Sequence, residues 1–211
     1  MSVNPLMLYA RSRRLPLTLG ALAAISASAA WAAYGFQDGL HFDHAARFLV
    51  LTPAPLLASA AVGVSLYTHA EELDPTAGRP WWPRRLVHLL ALTALAVGLL
   101  ALAVGLLAHA APGHPEQFGA PAVARNVLGA CGVTAGAAAV LGARLSWLPM
   151  AVYAGAVHLA APRTPGGFAA VWAWWTQPGP QAAAWGVAAA AFLCGGALYV
   201  WRGARAEGSW T

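Results

Sequence analysis

Six apolar runs, separated by short polar clusters, set the layout of the chain: 15–34, 47–67, 86–110, 121–142, 145–161 and 182–201. An α-helix needs ~20 apolar residues to cross ~30 Å of hydrocarbon, and runs of this length predict membrane-spanning helices. The expected fold is all-α and integral to the membrane, a single domain over residues 1–211 with six transmembrane helices. Ahead of the first run, Leu6 to Tyr9 precede Arg11, Arg13 and Arg14, so residues 1–14 read as an interfacial segment lying along the membrane surface. A basic region followed by an apolar run with small residues near its end also describes a cleavable signal sequence. The 15–34 run is read here as the first span.

The main polar interruption is 68–85, THAEELDPTAGRPWWPRR, which holds Glu71, Glu72, Asp74, Arg79, Arg84 and Arg85. Two acids open it, a Pro/Gly turn breaks it, and Trp81 and Trp82 lead into the third run. It reads as a cytoplasmic loop with a short surface helix, anchored at headgroup level by the paired tryptophans. The stretch has two uses open to it, as a solvated connector or as the docking site of a cytoplasmic partner. On the opposite side, 162–181 forms the longest non-spanning stretch, with Trp172, Trp174 and Trp175 as further interfacial anchors.

Composition supports this layout, since 59% of residues are hydrophobic and 9% charged. All twelve basic residues are arginine, which together with the many alanines and glycines suggests a GC-rich bacterial genome. With both termini cytoplasmic, nine arginines (11, 13, 14, 79, 84, 85, 144, 202 and 205) face inward and three (47, 125 and 163) lie on or near the outer side, a positive-inside bias. The location implied is the cytoplasmic membrane. Arginines at the ends of apolar runs orient the chain against anionic lipid. No basic tail or patch exists to hold a nucleic-acid backbone.

A phosphate-binding loop of the Gly-x-x-x-x-Gly-Lys-Ser/Thr type needs a lysine, and the chain has none, so any ATP must be bound by another polypeptide. Cys131 and Cys194 lie far apart inside apolar runs and read as small core residues. His88 and His158 are expected near opposite membrane faces, a mismatch in depth that argues against a haem between them. His41, Asp43 and His44 make a loop cluster lacking a further fixed metal ligand.

Arg125 and Asn126 sit just inside the outer end of the fourth run. An arginine at a helix centre costs ~2.5–3.5 kcal/mol on insertion scales, which makes it a functional candidate. The readings open to it are snorkelling outward, pairing with Glu116, and lining a substrate path. Pro53 and Pro55 in the second run, and the many glycines and alanines of the fourth, fit either close helix packing or helix movement.

Six spans with both ends inside, an acidic helix with Glu71, Glu72 and Leu73 between spans two and three, a tight turn at Arg144 and a longer outer segment after span five resemble the membrane subunit of an ABC-2 type exporter. The resemblance implies that the 68–85 region couples to a cytoplasmic ATP-binding subunit and that 166–177 partly re-enters the outer leaflet. It further implies that the chain pairs with a second permease subunit, identical or related, and moves a hydrophobic or amphipathic substrate. No cofactor is bound directly, ATP and Mg²⁺ residing in the partner, and the chain itself is not an enzyme. A membrane redox or assembly subunit, or a small accessory membrane protein, are the other classes the sequence admits.

Overall fold

The computed structural model of the chain describes residues 15–35, 53–67, 81–110, 119–162 and 164–205. The interfacial segment 1–14, the group His41, Asp43 and His44, the loop residues Glu71, Glu72, Asp74 and Arg79, and His114, Glu116, Arg47 and Arg163 lie outside the described residues.

The described residues are helical and contain no strand. Their main helices are α1 (Leu15–Gly35), α2 (Pro53–Val64), α3 (Trp82–Ala110), α4 (Ala120–Leu141), α5 (Leu148–Ala160) and α6 (Ala182–Arg202). Three of these, over Trp82–Gly105, Ala120–Leu141 and Ala182–Arg202, are long and apolar enough to cross a membrane, while the apolar stretches of α1 and α2 are shorter. The fifth predicted span is not met in full. A helix of 13 residues rises only about 20 Å.

Proline sets three of the helix starts. Pro83, Pro121 and Pro149 are each the second residue of their helix, where a missing N–H removes a donor that has no intrahelical partner anyway. For this reason α3 begins at Trp82 rather than at the expected Leu86, so that Trp82 to Arg85 form its first turn instead of the end of a loop. The helices α4 and α6 stop at Gly142 and Gly203, whose φ of 91° and 78° lie in the left-handed region that glycine enters most cheaply.

Helix α4 is the centre of the bundle. Most of its apolar stretch is buried, more than in α3 and far more than in α6. One face, through Val123, Val127, Cys131, Ala135 and Ala138, packs against Leu22 of α1, Val62 of α2 and Leu89, Leu92 and Leu100 of α3. Ala130, on another face, joins Met150 and Val157 of α5 and Ala184 and Ala188 of α6. Where apolar helices pack in lipid the hydrophobic effect supplies little attraction, and close van der Waals fit holds them together. Small residues provide that fit here: a Cβ on Gly132 would lie 2.5 Å from the backbone of Ala191, and one on Gly136 3.1 Å from Cα of Gly195.

The ends of α2, α4 and α6 and the starts of α3 and α5 share one end of the bundle. Ser65 Oγ lies 3.1 Å from His88 Nε2, the Tyr199 hydroxyl donates to the Leu66 carbonyl at 2.9 Å, and the Arg205 amide donates to the Ala138 carbonyl at 2.9 Å. Arg84, Arg85, Arg144, Arg202 and Arg205 all belong to this arginine end. Tyr199 is fully buried. Tyr199→Phe, which removes the bond to Leu66, is expected to lower stability by about 1 kcal/mol in a thermal unfolding comparison in detergent.

Candidate functional site

At the other end of the bundle, the chain between α5 and α6 folds inward. Residues 169–172 make one helical turn, Trp174–Thr176 make a 3-10 turn, and Ala173, Trp174, Trp175 and Gln177 are buried. The Trp174 ring fills the space over Gly129 of α4, where a Cβ would come within 2.5 Å of it, and stacks on Tyr153 with ring centres 5.7 Å apart. Gly129 is nine residues into α4, so the segment reaches roughly 13 Å along that helix from its first residue.

Irregular backbone at such depth has a physical requirement. Away from water, each carbonyl that secondary structure does not pair must find a donor, and irregular chain is tolerated there only when protein surrounds and satisfies it. Arg125 Nη2 donates to the Gln177 carbonyl at 2.7 Å and Nη1 to the Pro178 carbonyl at 2.8 Å. Asn126 Nδ2 donates to the Trp175 carbonyl at 2.8 Å. The Tyr153 hydroxyl of α5 takes the Trp172 carbonyl at 2.9 Å, and the Trp185 indole N–H of α6 takes that of Gly179 at 2.9 Å. Gln177 serves its own segment, accepting the Gly166 amide at 2.9 Å on Oε1 and donating from Nε2 to the Ala173 carbonyl at 3.4 Å. Three helices thus contribute side-chain donors to one stretch of chain.

Arg125 is completely buried, its guanidinium steadied by Asn126 Oδ1 at 3.1 Å from Nε and 3.0 Å from Nη2. Four of its five N–H donors are engaged, every described acceptor being a neutral oxygen. Snorkelling is therefore corrected: the side chain does not reach water, because carbonyls of the inward-folded segment meet it inside the protein. Glu116, the other partner expected for it, lies outside the described residues, as do all seven acidic residues of the chain.

Trp174 and Trp175 are 5% and 1% exposed and belong to the core beside Ala130, Met150 and Ala184, while Trp172 is half-buried. Gly129 and the alanines of α4 and α6 leave room for the indole rings, which are wedged between the helices. The structure joins Arg125 and Asn126 with Trp174 and Trp175 into one site, which the sequence treats separately. Tyr153, Gln177, Trp185 and Gly129 complete it. Of these, Gln177 carried a readable signal, as one of three polar residues, with Thr176 and Gln181, flanking Pro178-Gly179-Pro180.

At the arginine end, Trp81 is half-buried and Trp82 exposed, and the Arg84 guanidinium lies over the Trp81 ring at 5.3 Å from its centre. Arg85 Nη1 donates to the carbonyls of Val200 and Trp201 at 3.3 and 3.4 Å, placing a cation on the negative end of α6. Arg205 Nη1 does the same for α4 through the Val140 carbonyl at 3.2 Å. His88, buried at the arginine end, and His158, exposed toward the other end and bonded to the Ala154 carbonyl at 2.7 Å, belong to different parts of the bundle. Among the described residues no group of three or more His, Cys, Asp or Glu forms a metal-binding cluster. No protein-family model matches the chain, and neither does any curated protein or solved structure compared with it.

Proposed function

We propose that the chain is the membrane subunit of an ATP-driven exporter of the ABC-2-like kind, moving a hydrophobic or amphipathic substrate out across the cytoplasmic membrane. The observation that carries this reading is the inward-folded segment between α5 and α6, pinned by Arg125 and Asn126 at the position where the resemblance implies re-entry into the outer leaflet. In this reading the arginine end is cytoplasmic, following the positive-inside rule, and both termini lie on that side.

The stretch 68–81 connects the end of α2 to the start of α3, both at the arginine end. Its exit is tied to α6 through Leu66 and Tyr199, and its return through Arg85 on the last carbonyls of α6. A cytoplasmic ATP-binding subunit docked on Glu71, Glu72, Asp74 and Arg79 would thus push on α6, whose other end follows directly from the pinned segment. ATP and Mg²⁺ would act in that partner, and two permease subunits would form the path between them.

Purification from native membranes in mild detergent, followed by mass spectrometry, tests the assignment. A stoichiometric partner with a Gly-x-x-x-x-Gly-Lys-Ser/Thr loop is the expected result, and recovery of redox subunits without an ATPase would replace the exporter reading with that of a redox or assembly subunit. The double variant Glu71→Ala, Glu72→Ala is expected to abolish most transport while the protein still inserts and the partner still hydrolyses ATP. Wild-type transport in that variant overturns the docking role.

A further inference from the structure

Arg125 carries a full positive charge into the bundle, and nothing among the described residues neutralises it. Each of its bonded acceptors is a neutral oxygen, and none of the described residues is acidic. Carbonyls satisfy its donors but leave its charge, which in a low-dielectric interior attracts an opposite charge far more strongly than in water. Pinning alone needs no cation. Neutral donors serve the same segment elsewhere, Asn126 on the Trp175 carbonyl and the Trp185 indole on that of Gly179. The acceptors of Arg125 also divide by the edge of the guanidinium that they occupy. Asn126 Oδ1 takes the Nε and Nη2 edge, at 3.1 and 3.0 Å. The Nη2 and Nη1 ends hold the carbonyls of two consecutive residues, Gln177 at 2.7 Å and Pro178 at 2.8 Å.

Two oxygens on the two terminal nitrogens are what a carboxylate or phosphate supplies in a bidentate pair, with the negative charge that carbonyls lack. We infer that Arg125 is the recognition point for an anionic amphiphile, whose oxyanion headgroup replaces the Gln177 and Pro178 carbonyls on Nη2 and Nη1. The Asn126 bond on the other edge keeps the fork aimed during the exchange. Nη1 also holds a second N–H beyond its bond to Pro178. The turn that covers these nitrogens lies at the edge of the bundle, Pro178 being half-buried and Pro180 exposed, so the released carbonyls are taken up by water. The site sits beneath the 164–181 segment among helices read as membrane-spanning, and a ligand that reaches it through lipid needs an apolar chain as well as a charge. In taking this amphiphile as the transported substrate, the inference rests on the exporter reading. The binding step itself requires neither partner nor ATP.

The test titrates the purified full-length protein, in an uncharged detergent, with dodecyl phosphate, dodecanol, dodecyltrimethylammonium and inorganic phosphate, following tryptophan fluorescence and amide hydrogen exchange. Dodecyl phosphate is expected to bind saturably, and the strength of a charge-assisted hydrogen bond sets its preference over dodecanol at roughly 10- to 100-fold. Because the headgroup takes the place of the pins, exchange within 164–181 is expected to speed up on binding while α4 and α6 stay protected. An Arg125 that serves only as a pin predicts no such change. Arg125→Lys keeps the charge without the fork and is expected to bind about tenfold more weakly, with an unchanged far-ultraviolet circular dichroism spectrum as the check on folding. The exchange measurement uses the wild type, so it decides the matter even where the variant unfolds. An equal response to dodecanol, to dodecyltrimethylammonium or to inorganic phosphate alone, slower exchange in the segment on binding, or wild-type affinity in a folded Arg125→Lys would each overturn the site. Loss of the exporter reading through absence of an ATPase partner leaves this binding intact, and loss of binding leaves the partner assignment intact, so the two failures are told apart.

Discussion

Arg125→Ala is expected to release the 164–181 segment from the bundle and to lower stability by about 2–5 kcal/mol. Two opposing effects decide the sign. Removing the guanidinium relieves the burial of a cation, ~2.5–3.5 kcal/mol on insertion scales. Against this, the carbonyls of Gln177 and Pro178 and the side-chain oxygen of Asn126 lose their donor in a water-poor core, at about 1–3 kcal/mol for each unsatisfied group. The vacated volume adds a cavity cost. Destabilisation wins.

The readout is specific to the segment as well as global. Trp174 stacks on Tyr153 and meets Trp175 edge-on at 5.6 Å, a fixed aromatic array that gives a near-ultraviolet circular dichroism signal. In Arg125→Ala this signal is expected to weaken while the far-ultraviolet helical signal persists, and the thermal midpoint is expected to fall by about 10 °C. Arg125→Met fills most of the volume without donating, so it is expected to lose nearly as much. Arg125→Lys, a donor without the planar fork, should fall between. Wild-type near-ultraviolet spectra and midpoint in both Arg125→Ala and Arg125→Met would show that the hydrogen bonds do not hold the segment.

Much of the helical layout was legible because apolar run length is a local property. Helices α4 and α6 start and end within one residue of the expected spans, and α3 differs because Pro83 fits a helix start. Helix α5 is shorter because Ala143–Leu145 form a 3-10 turn and Pro149 belongs in a first helical turn, which moves its start to Leu148. The site was legible only in its most costly member. An Arg-Asn pair in an Ala- and Gly-rich run stands out on burial grounds alone, whereas its acceptors are carbonyls some fifty positions later in the chain. For the same reason Trp174 and Trp175 read as interfacial. What buries Trp174 is the absence of a side chain at Gly129, on a different helix, and a tryptophan's own neighbours say nothing about that.

Gly195→Val is expected to be the most damaging single change in the α4–α6 contact. A Cβ on Gly195 would collide with the carbonyl oxygen of Gly132 and lie 2.7 Å from its carbonyl carbon and 3.2 Å from the Gly136 nitrogen. These are backbone atoms, so no rotamer change can make room and the helices themselves must separate. Overpacking of a tight core costs typically ~1–3 kcal/mol and occasionally more, and the upper end is expected here. Separation also forfeits the dispersion contacts along the seam, which lipid does not replace with a hydrophobic driving force. Because Trp174 is wedged beside Gly129 and Ala188 of the same two helices, the Arg125 network is expected to loosen with them. Gly98→Ala is the matched control, since nothing lies within 4 Å of a Cβ at Gly98 and alanine stabilises a helix interior by roughly 0.5–1 kcal/mol over glycine. Thermal midpoints in detergent should therefore move in opposite directions for the two variants. A midpoint for Gly195→Val no lower than that of Gly98→Ala would mean that α4 and α6 do not approach through these glycines, and that the pinned segment rests on some other scaffold.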